Sequence, residues 1–211
     1  MIRSSHLRPL STALVGAVSA AALVAATPVA VASSPHQVDQ STLQPALNPQ
    51  FAPWSCFETG TGITCQGSYS ASYSEPIGLF CDGQEVWITG TAREFMTRWH
   101  TADGLATKTV VHLDFPADVF SLSPAGDGPS LSVAGHFNRH YSYPVPGDRE
   151  SRVLTEKGQI YLATAGGRVV LKDVGTVEYE PGQEFESVST THGLHEFLQA
   201  DFDALICEAV T

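Results

Sequence analysis

Apolar and polar side chains alternate over several stretches of the chain. In the longest, from Leu131 to Tyr141, apolar residues stand at 131, 133, 137 and 141, and the positions between them are mostly polar. Successive side chains of a β-strand point to opposite faces, so this period of two predicts a strand with one buried and one polar face. Residues 111–115 and 176–180 alternate in the same way.

The rest of the chain beyond residue 53 also has the pattern of short strands separated by turns. Further strand candidates are 63–71, 77–81, 84–100, 118–123, 151–155, 159–164, 168–174 and 184–190. Turn-forming residues lie between them, at 102–104, 125–129, 146–148, 166–167 and 181–182. Only residues 194–207 space their apolar side chains as a helix does.

This pattern predicts an all-β fold, a single antiparallel β-barrel of about eight strands with a short C-terminal helix. Long strands that bend at a glycine, such as 84–100 with Gly90, are typical of small barrels. A β-sandwich is the alternative. The immunoglobulin type of sandwich is disfavoured, because no cysteine lies in the middle of the domain to bridge two sheets.

The first 32 residues predict a secretory signal peptide. Arg3 and Arg8 precede an uncharged apolar run from about Leu10 to Val24, and residues 30–32 form a cleavage pattern of the A-x-A type. A retained membrane anchor is the alternative. With cleavage we expect a secreted, extracellular protein without membrane insertion, because no later apolar run is long enough to span a bilayer.

Residues 33–52 are rich in Ser, Gln, Pro and Asn and show no apolar period. This composition predicts a flexible leader. The folded domain is therefore expected to span residues 53–211.

All four cysteines, Cys56, Cys65, Cys81 and Cys207, lie after the predicted cleavage point. An even number in an exported chain predicts two disulfides. Zinc binding is the alternative, but the spacings are irregular and no C-x-x-C pair occurs. Of the three possible pairings we favour Cys56 with Cys65, because a turn at 60–61 would place them opposite each other on a hairpin. Cys81 then pairs with Cys207.

The charge of the chain excludes some partners. Eleven basic residues against 22 acidic ones give a formal net charge of −11, and removal of Arg3 and Arg8 with the signal peptide makes it −13. Nucleic-acid binding needs a basic face, so it is not expected, and neither is adhesion to anionic membranes. We interpret the acidity as a property that keeps an exported protein soluble.

The best candidate for chemistry is the polar face of the 131–141 strand, which carries His136, Asn138 and His140. If this face points into the barrel, two imidazoles and an amide line its interior, where they would bind a polar ligand or transfer protons. If it points outward, these are solvated side chains. A metal site is not predicted, because no third ligand is visible nearby.

Three other groups of polar residues have a structural interpretation that we prefer. His192 and His195 near Glu196 would suit a metal site, but we prefer to place them on the turn that leads to the last helical segment. Residues 93–100 combine arginines with Trp99. They would bind an anionic or aromatic ligand, but we prefer cross-strand charge pairs beside a core tryptophan. The carboxylates of Asp114, Glu178 and Glu180 would suit glycoside hydrolysis only if two of them met, and a solvated face is favoured.

The chain from about Ile77 to Cys207 resembles a group of small, uncharacterised exported proteins of high-GC Gram-positive bacteria. The residues that carry the resemblance are Phe80-Cys81-Asp82-Gly83, Arg98-Trp99, Gly167-Arg168-Val169-Val170-Leu171, His192-Gly193 and Leu205-Ile206-Cys207. The resemblance implies an exported antiparallel barrel and supports the pairing of Cys81 with Cys207. The barrel is similar in kind to calycins and to the allene oxide cyclase and dirigent group. The hairpin with Cys56 and Cys65 departs from it.

These observations lead to one expectation about function and two alternatives. We expect an exported β-barrel without a catalytic role, because no catalytic signature is assembled in the sequence; it would bind a small apolar or amphipathic molecule or make a surface contact. One alternative is a cyclase- or isomerase-like enzyme that uses a polar barrel interior. The other is a structural protein of the cell envelope. No cofactor is expected, and the oligomeric state is left open.

Overall fold

The computed structural model describes residues 38–211, so the predicted signal peptide lies outside the described residues. Eight strands pair in sequence order in one antiparallel sheet. They are β1 (Ser55–Thr59), β2 (Gly62–Cys81), β3 (Gln84–His100), β4 (Ala106–Ser121), β5 (Ser130–Ser142), β6 (Val153–Ala165), β7 (Arg168–Tyr179) and β8 (Val188–His195). One helix, α1 (Phe202–Val210), follows them. The predicted all-β fold with a short C-terminal helix is confirmed.

The strands are fewer and longer than the separate stretches that the sequence indicates. β4 joins the predicted strands 111–115 and 118–123, and its register on β5 shifts between Phe115 and Asp118. β6 joins 151–155 and 159–164 in the same manner. A β-bulge inserts an extra residue and breaks the alternation without ending the strand, so a periodic pattern divides one bulged strand into two.

The sheet is not closed by backbone hydrogen bonds. Within residues 38–211, β1 pairs only with β2 and β8 only with β7, so both are edge strands. The inner faces of β3 to β7 nevertheless share one buried cluster with Phe51, which lies before β1. The sheet therefore curls around a common interior, and its architecture is that of an open, barrel-like meander.

Three glycines lie side by side on β6, β7 and β8. Gly158 pairs with Gly175, and Gly175 pairs with Gly193. All three have positive φ angles, of 133°, 147° and 120°. A Cβ atom at Gly158 would lie 2.8 Å from the carbonyl oxygen of His136, and one at Gly175 would lie 2.1 Å from that of His192. Only glycine permits so close an approach of the strands.

The two faces of the sheet are distinct. The inner face carries the buried side chains, such as Leu131, Val133 and Phe137 on β5, and the outer face carries the residues between them. The two ends also differ. We call the end with α1 and the turns at 82–83, 122–129 and 166–167 the helix end, and the end with residues 60–61, 101–105, 143–152 and 180–187 the loop end.

Helix α1 packs on the inner face at the helix end. Ile206 and Val210 are buried against a cluster that includes Val86, Leu131 and Leu171. The carboxylate of Asp201 accepts a hydrogen bond from the backbone N–H of Ala204 and caps the helix at its N-terminus. The helix therefore covers one end of the interior with an apolar face.

Both predicted disulfides are present. Cys56 and Cys65 are bonded to each other and stand opposite each other on the β1–β2 hairpin, as the turn at 60–61 requires. Cys81 at the end of β2 is bonded to Cys207 in α1, across 126 residues of sequence. No cysteine of the described chain is free. Disulfides are typical of proteins that fold in an oxidising compartment.

The segment 38–54, most of which the sequence assigns to a flexible leader, is packed on the loop end. It forms two short 3₁₀ turns, Gln40–Thr42 and Pro49–Phe51. Leu43 is buried with the Cys56–Cys65 bridge, and Phe51 is buried in the main cluster. The structure therefore differs from the prediction that the packed domain starts at residue 53. A few well-placed apolar residues are sufficient to anchor a segment of otherwise polar composition.

Among residues 38–211, no helix has the length and apolar character needed to cross a membrane.

Candidate ligand-binding site

His136, Asn138 and His140 lie on the outer face of β5. The imidazole of His136 is 83% exposed, and its Nδ1 lies 3.5 Å from Oδ1 of Asp114, its cross-strand partner on β4. Asn138 pairs with His112 on one side and Lys157 on the other. The face therefore points away from the interior that an enzymatic role would require, and ligand binding by these three residues stays a prediction.

Of the two histidines on the outer face of β5, His140 is the less exposed to solvent. Partial burial lowers the pKa of His140, and the nearby charges of Lys108 and Lys157 lower it further. Within residues 38–211, no group of three or more His, Cys, Asp or Glu side chains has the arrangement of a metal site. The outer face of β5 is thus a polar surface rich in imidazoles.

The C-terminal histidines separate in the structure. His195 ends β8 and points inward, where its Nδ1 lies 2.7 Å from Oδ1 of Asp173 on β7 and both side chains are buried. His192 is exposed. The carboxylate of Glu196 accepts a hydrogen bond from the backbone N–H of Lys172 at 2.6 Å. Both histidines lie in β8 and not in the turn that the preferred interpretation expects, and they do not converge on a common site.

The mixed segment 93–100 alternates as the sequence indicates. Arg98 points inward and is buried, whereas Trp99 is on the outer face, where the Nζ of Lys108 lies 5.4 Å from its ring centroid. Arg98 and Trp99 therefore do not bind a ligand together. The interpretation of Trp99 as a core tryptophan is also wrong, because Arg98 and not Trp99 is buried. Likewise Asp114 and Glu178 are on the outer face of different strands, and no contact joins them.

The inner face carries a buried polar group that the sequence does not single out. On β5 and β6, Arg139 Nε donates a hydrogen bond to Glu156 Oε1 at 2.7 Å, and the Tyr179 hydroxyl donates to Glu156 Oε2 at 3.0 Å. We call Arg139, Glu156 and Tyr179 the inner cluster. Because one carboxylate receives both donors, the group is charge-balanced and fully oriented.

Electrostatics of the inner cluster follow from this geometry. Burial alone would lower the pKa of Arg139, but the hydrogen bond and the charge of Glu156 outweigh it, so the pKa of Arg139 is raised. Burial raises the pKa of Tyr179, and the adjacent Glu156 carboxylate raises it further. At neutral pH Arg139 is therefore a charged guanidinium and Tyr179 a neutral phenol.

Two cavities adjoin the inner cluster on the inner face. One, of about 280 Å³, has Arg139, Asp118, Phe115 and Phe202 in its wall. The other, of about 320 Å³, has Glu156, Asp173, Tyr179 and Phe185 in its wall. Tyr161 and Phe197 line both. We call these spaces the two inner cavities.

Aromatic rings form much of the boundary between the two inner cavities. The ring centroids of Tyr161 and Phe197 are 4.5 Å apart, and those of Phe197 and Phe202 are 5.1 Å apart. Tyr161 belongs to β6, whereas the two phenylalanines belong to the segment that leads into α1. The C-terminal segment thus contributes aromatic side chains to one wall of the two inner cavities, and the sheet forms the opposite wall.

A second polar pair stands beside the first inner cavity. The Tyr73 hydroxyl of β2 donates a hydrogen bond to Oδ1 of Asp118 on β4. Burial raises the pKa of Asp118, although the hydrogen bond from Tyr73 acts in the opposite direction. Burial also raises the pKa of Tyr73, and the Asp118 carboxylate adds to that effect. This pair places a second acceptor within the cavity wall.

A signal for the inner cluster does exist in the sequence. Arg139 is in phase with the apolar residues 131, 133, 137 and 141, and Glu156 is in phase with Leu154. A charged residue on an apolar face must either be buried with a partner or mark the end of the buried region. The pairing of Arg139 with Glu156 requires the register between β5 and β6, which the sequence pattern alone does not supply.

Comparison of the chain with protein-family models, with curated proteins and with solved structures gave no match.

Proposed function

We propose that this protein is exported and binds one small amphipathic molecule between the inner face of the sheet and its C-terminal segment. The observation that carries the proposal is that the two inner cavities share Tyr161 and Phe197 and have the inner cluster in their walls. Ligand sites are typically concave and mostly apolar, with a few oriented polar groups that give specificity.

The chemistry of the walls favours a ligand of limited polarity. A flat or ring-containing body would stack on Tyr161 and Phe197, as aromatic side chains commonly do with one another. A hydroxyl or carbonyl group of the ligand would contact the inner cluster or Asp118. A ligand with a full charge is disfavoured here, because Arg139 and Glu156 already neutralise each other.

Export is part of the proposal. It is supported by the N-terminal pattern of residues 1–32 and by the two disulfides. We expect the protein in the culture medium of its own organism, with an N-terminus at residue 33. N-terminal sequencing of that protein measures this directly. A chain that stays in the membrane fraction with residues 1–32 attached would favour the retained anchor instead.

Titration with a neutral fluorescent probe tests ligand binding. N-phenyl-1-naphthylamine carries no charge, so it reports apolar cavities without attraction to arginines. We expect saturable binding to the native protein and at least about tenfold weaker binding to Phe197→Ala, which removes a wall common to both cavities. Phe95→Ala removes an exposed aromatic ring of the outer face and serves as the matched control.

The outcomes separate the expected function from its alternatives. Equal affinities of the Phe197→Ala and Phe95→Ala proteins would contradict binding in the inner cavities. Native mass spectrometry of protein from culture medium gives an independent readout, and a co-purified neutral molecule would support the proposal. If no probe binds and nothing co-purifies, a structural role in the cell envelope is the better explanation.

A further inference from the structure

Another cavity, of about 480 Å³, lies at the loop end between the strands and residues 46–49. It has no lining residue in common with the two inner cavities. Three guanidinium groups, those of Arg98, Arg149 and Arg152, stand in its wall. Because the chain as a whole has a net charge of −11, three arginines around one space are contrary to its general composition.

Arg98 is the central residue of this cavity. It is only 6% exposed, and its Nη1 donates hydrogen bonds to the carbonyl oxygens of Pro45 and Ala46 at 3.0 and 3.2 Å. Its Nε is buried without a hydrogen-bond partner, and no carboxylate of the described chain lies within 4 Å of its guanidinium. A buried charge without an opposite charge is costly, so Arg98 requires an anionic partner that residues 38–211 do not provide.

A second buried polar atom without a partner lies next to Arg98. Thr109 is the direct cross-strand partner of Arg98, it is 2% exposed, and its Oγ1 makes no hydrogen bond. Tyr141 is in turn the cross-strand partner of Thr109. Side chains of directly opposed residues are about 5 Å apart at Cβ, so a guanidinium, a hydroxyl and a phenol ring form one row along the wall.

The charges around the cavity do not cancel. Arg152 is held by Glu184 in a two-point ion pair and stacks over the ring of Tyr141, with 4.7 Å between its Cζ and the centroid. Arg149 is exposed, and the acidic residues on either side of it do not line the cavity. Among the described residues, Glu184 is thus the one carboxylate in an ion pair with any of these three guanidinium groups, and it contacts Arg152 only. Burial lowers the pKa of Arg98, and the charges of Arg149 and Arg152 also lower it, whereas the phenol of Tyr143 acts in the opposite direction.

We propose that this cavity binds the carboxylate of a small organic acid, with Arg98 and Thr109 as its principal donors and Arg149 at its opening. A guanidinium presents paired N–H donors that match the two oxygens of a carboxylate. Apolar atoms of Met96, Leu47 and the two tyrosines would contact the body of the acid. The carbonyl groups of residues 45 and 46 fix the orientation of Arg98, so the donors are in place before the ligand arrives.

Calorimetric titration of the disulfide-bonded full chain with benzoate tests this assignment. Benzoate carries a carboxylate on a compact ring, and benzamide has the same shape without the charge. We expect saturable binding of benzoate and at least about tenfold weaker binding of benzamide, since a hydrogen bond to a charged group is worth more than a tenfold change in affinity.

Substitutions of arginines on the two faces of β3 locate the site. Arg98→Gln removes the buried guanidinium, and we expect benzoate affinity to fall at least about tenfold. Arg93→Gln removes the same charge from the exposed outer face of the same strand and should leave the affinity unchanged. Two further variants, Thr109→Val and Arg149→Gln, are expected to weaken benzoate binding less than Arg98→Gln does. Thr109→Val keeps the shape of the side chain. Both variants still test the site if Arg98→Gln does not fold.

Three results would overturn the proposal. One is the absence of saturable benzoate binding to the native protein. Another is equal binding of benzoate and benzamide, which would show that the carboxylate is not recognised. The third is binding of inorganic phosphate without binding of benzoate, because the cavity would then select a compact phosphate anion instead of an organic acid. Weaker benzoate binding in the Arg98, Thr109 and Arg149 variants, with unchanged binding in Arg93→Gln, would support it.

Discussion

The Nε atom of Arg139 lies 2.7 Å from Oε1 of Glu156, and the two residues oppose each other directly on neighbouring strands of the inner face. The Glu156 side chain is buried, whereas the Arg139 side chain keeps 25% of its surface exposed. The phenol of Tyr179, on the neighbouring strand β7, donates a hydrogen bond to the other carboxylate oxygen of Glu156. A polar group of this kind joins three strands and defines their register.

Removal of the Glu156 carboxylate should destabilise the fold strongly. In Glu156→Ala the guanidinium of Arg139 and the hydroxyl of Tyr179 both lose their partner in a buried position. We expect the free energy of unfolding to fall by about 3 kcal/mol, the lower end of the range for a broken buried pair because Arg139 is partly exposed. Urea denaturation followed by circular dichroism measures the change.

Glu178→Ala provides the control for this prediction, because Glu178 is exposed on the outer face of β7. Its loss should change the free energy of unfolding by less than about 0.5 kcal/mol. If both variants unfold at the same urea concentration, the inner cluster does not stabilise the sheet as its geometry indicates.

The pH dependence of stability should report His100. Burial on the inner face and the charge of Arg98 lower the pKa of His100 to about 4. An unfolded histidine binds its proton near pH 6.5, so between pH 6.5 and 4 the unfolded state holds a proton that the folded state lacks. The contribution of His100 to the free energy of unfolding is therefore fully present above pH 6.5. It decreases by up to about 3 kcal/mol as the pH falls to 4, with no further loss below that.

Urea denaturation at pH 7, 5.5 and 4.5 measures this effect against two variants. His100→Gln removes the titrating group, so its free energy of unfolding should decline less steeply than that of the native protein. His136→Gln removes an exposed imidazole of the outer face and serves as the matched control. A His100→Gln profile parallel to the native profile would mean that His100 does not resist protonation in the folded state.

The two disulfides should contribute unequally to stability. In the chain-entropy model the stabilisation grows with the length of the closed loop. The Cys81–Cys207 bridge closes a sequence separation of 126 and the Cys56–Cys65 bridge one of 9. We expect the double alanine variant at 81 and 207 to lose about 5 kcal/mol and the one at 56 and 65 about 3 kcal/mol.

Thermal unfolding of the two double variants, compared with the native protein, measures this order. Removal of the Cys81–Cys207 bridge should also allow α1 to detach from the sheet, since that bridge joins Cys207 in the helix to the end of β2. Protease cleavage after residue 196 should therefore increase only in that variant. The reverse order of stability would show that native-state packing, and not loop closure, decides the contribution.

The sequence predicts much of the fold because most of its evidence is local. Alternation along residues 131–141 indicates β5 and its two faces, and the turn at 60–61 is sufficient to pair Cys56 with Cys65. Bulged strands are the exception, as at Phe115–Asp118 in β4, because one additional residue reverses the alternation. Whether β1 and β8 meet depends on the curvature of the entire sheet, which no local pattern encodes.

The candidate sites are harder to predict because they depend on register. His136, Asn138 and His140 attract notice through residue type, but they share the outer face with Asp114 and His112. Arg139 and Arg98 lie in phase with apolar residues and are therefore on the inner face. Arg139 pairs with the Glu156 carboxylate, whereas Arg98 contacts two carbonyl oxygens and no carboxylate of the described chain, and these partners follow only from the three-dimensional arrangement.

The packing of the segment 38–54 yields a final prediction. Although its composition is that of a flexible leader, Phe51 is buried among the side chains of the main cluster and contacts the rings of Trp54 and Tyr69. The indole N–H of Trp54 donates a hydrogen bond to the carbonyl oxygen of Asn48, which holds the turn in place. The segment therefore behaves as part of the core and not as an appendage.

Phe51→Ala should consequently cost about 3–4 kcal/mol of unfolding free energy, as expected for a large side chain removed from a packed interior. Gln50→Ala, at an exposed neighbouring position of the same turn, should cost less than about 0.5 kcal/mol. Guanidinium denaturation compares the two variants with the native protein. Equal stability of Phe51→Ala and Gln50→Ala would mean that the segment is not packed in solution and that the composition predicts its behaviour better than its contacts do. A large loss in Phe51→Ala alone would establish the segment as the cover of the loop end, the position from which its carbonyl groups orient Arg98.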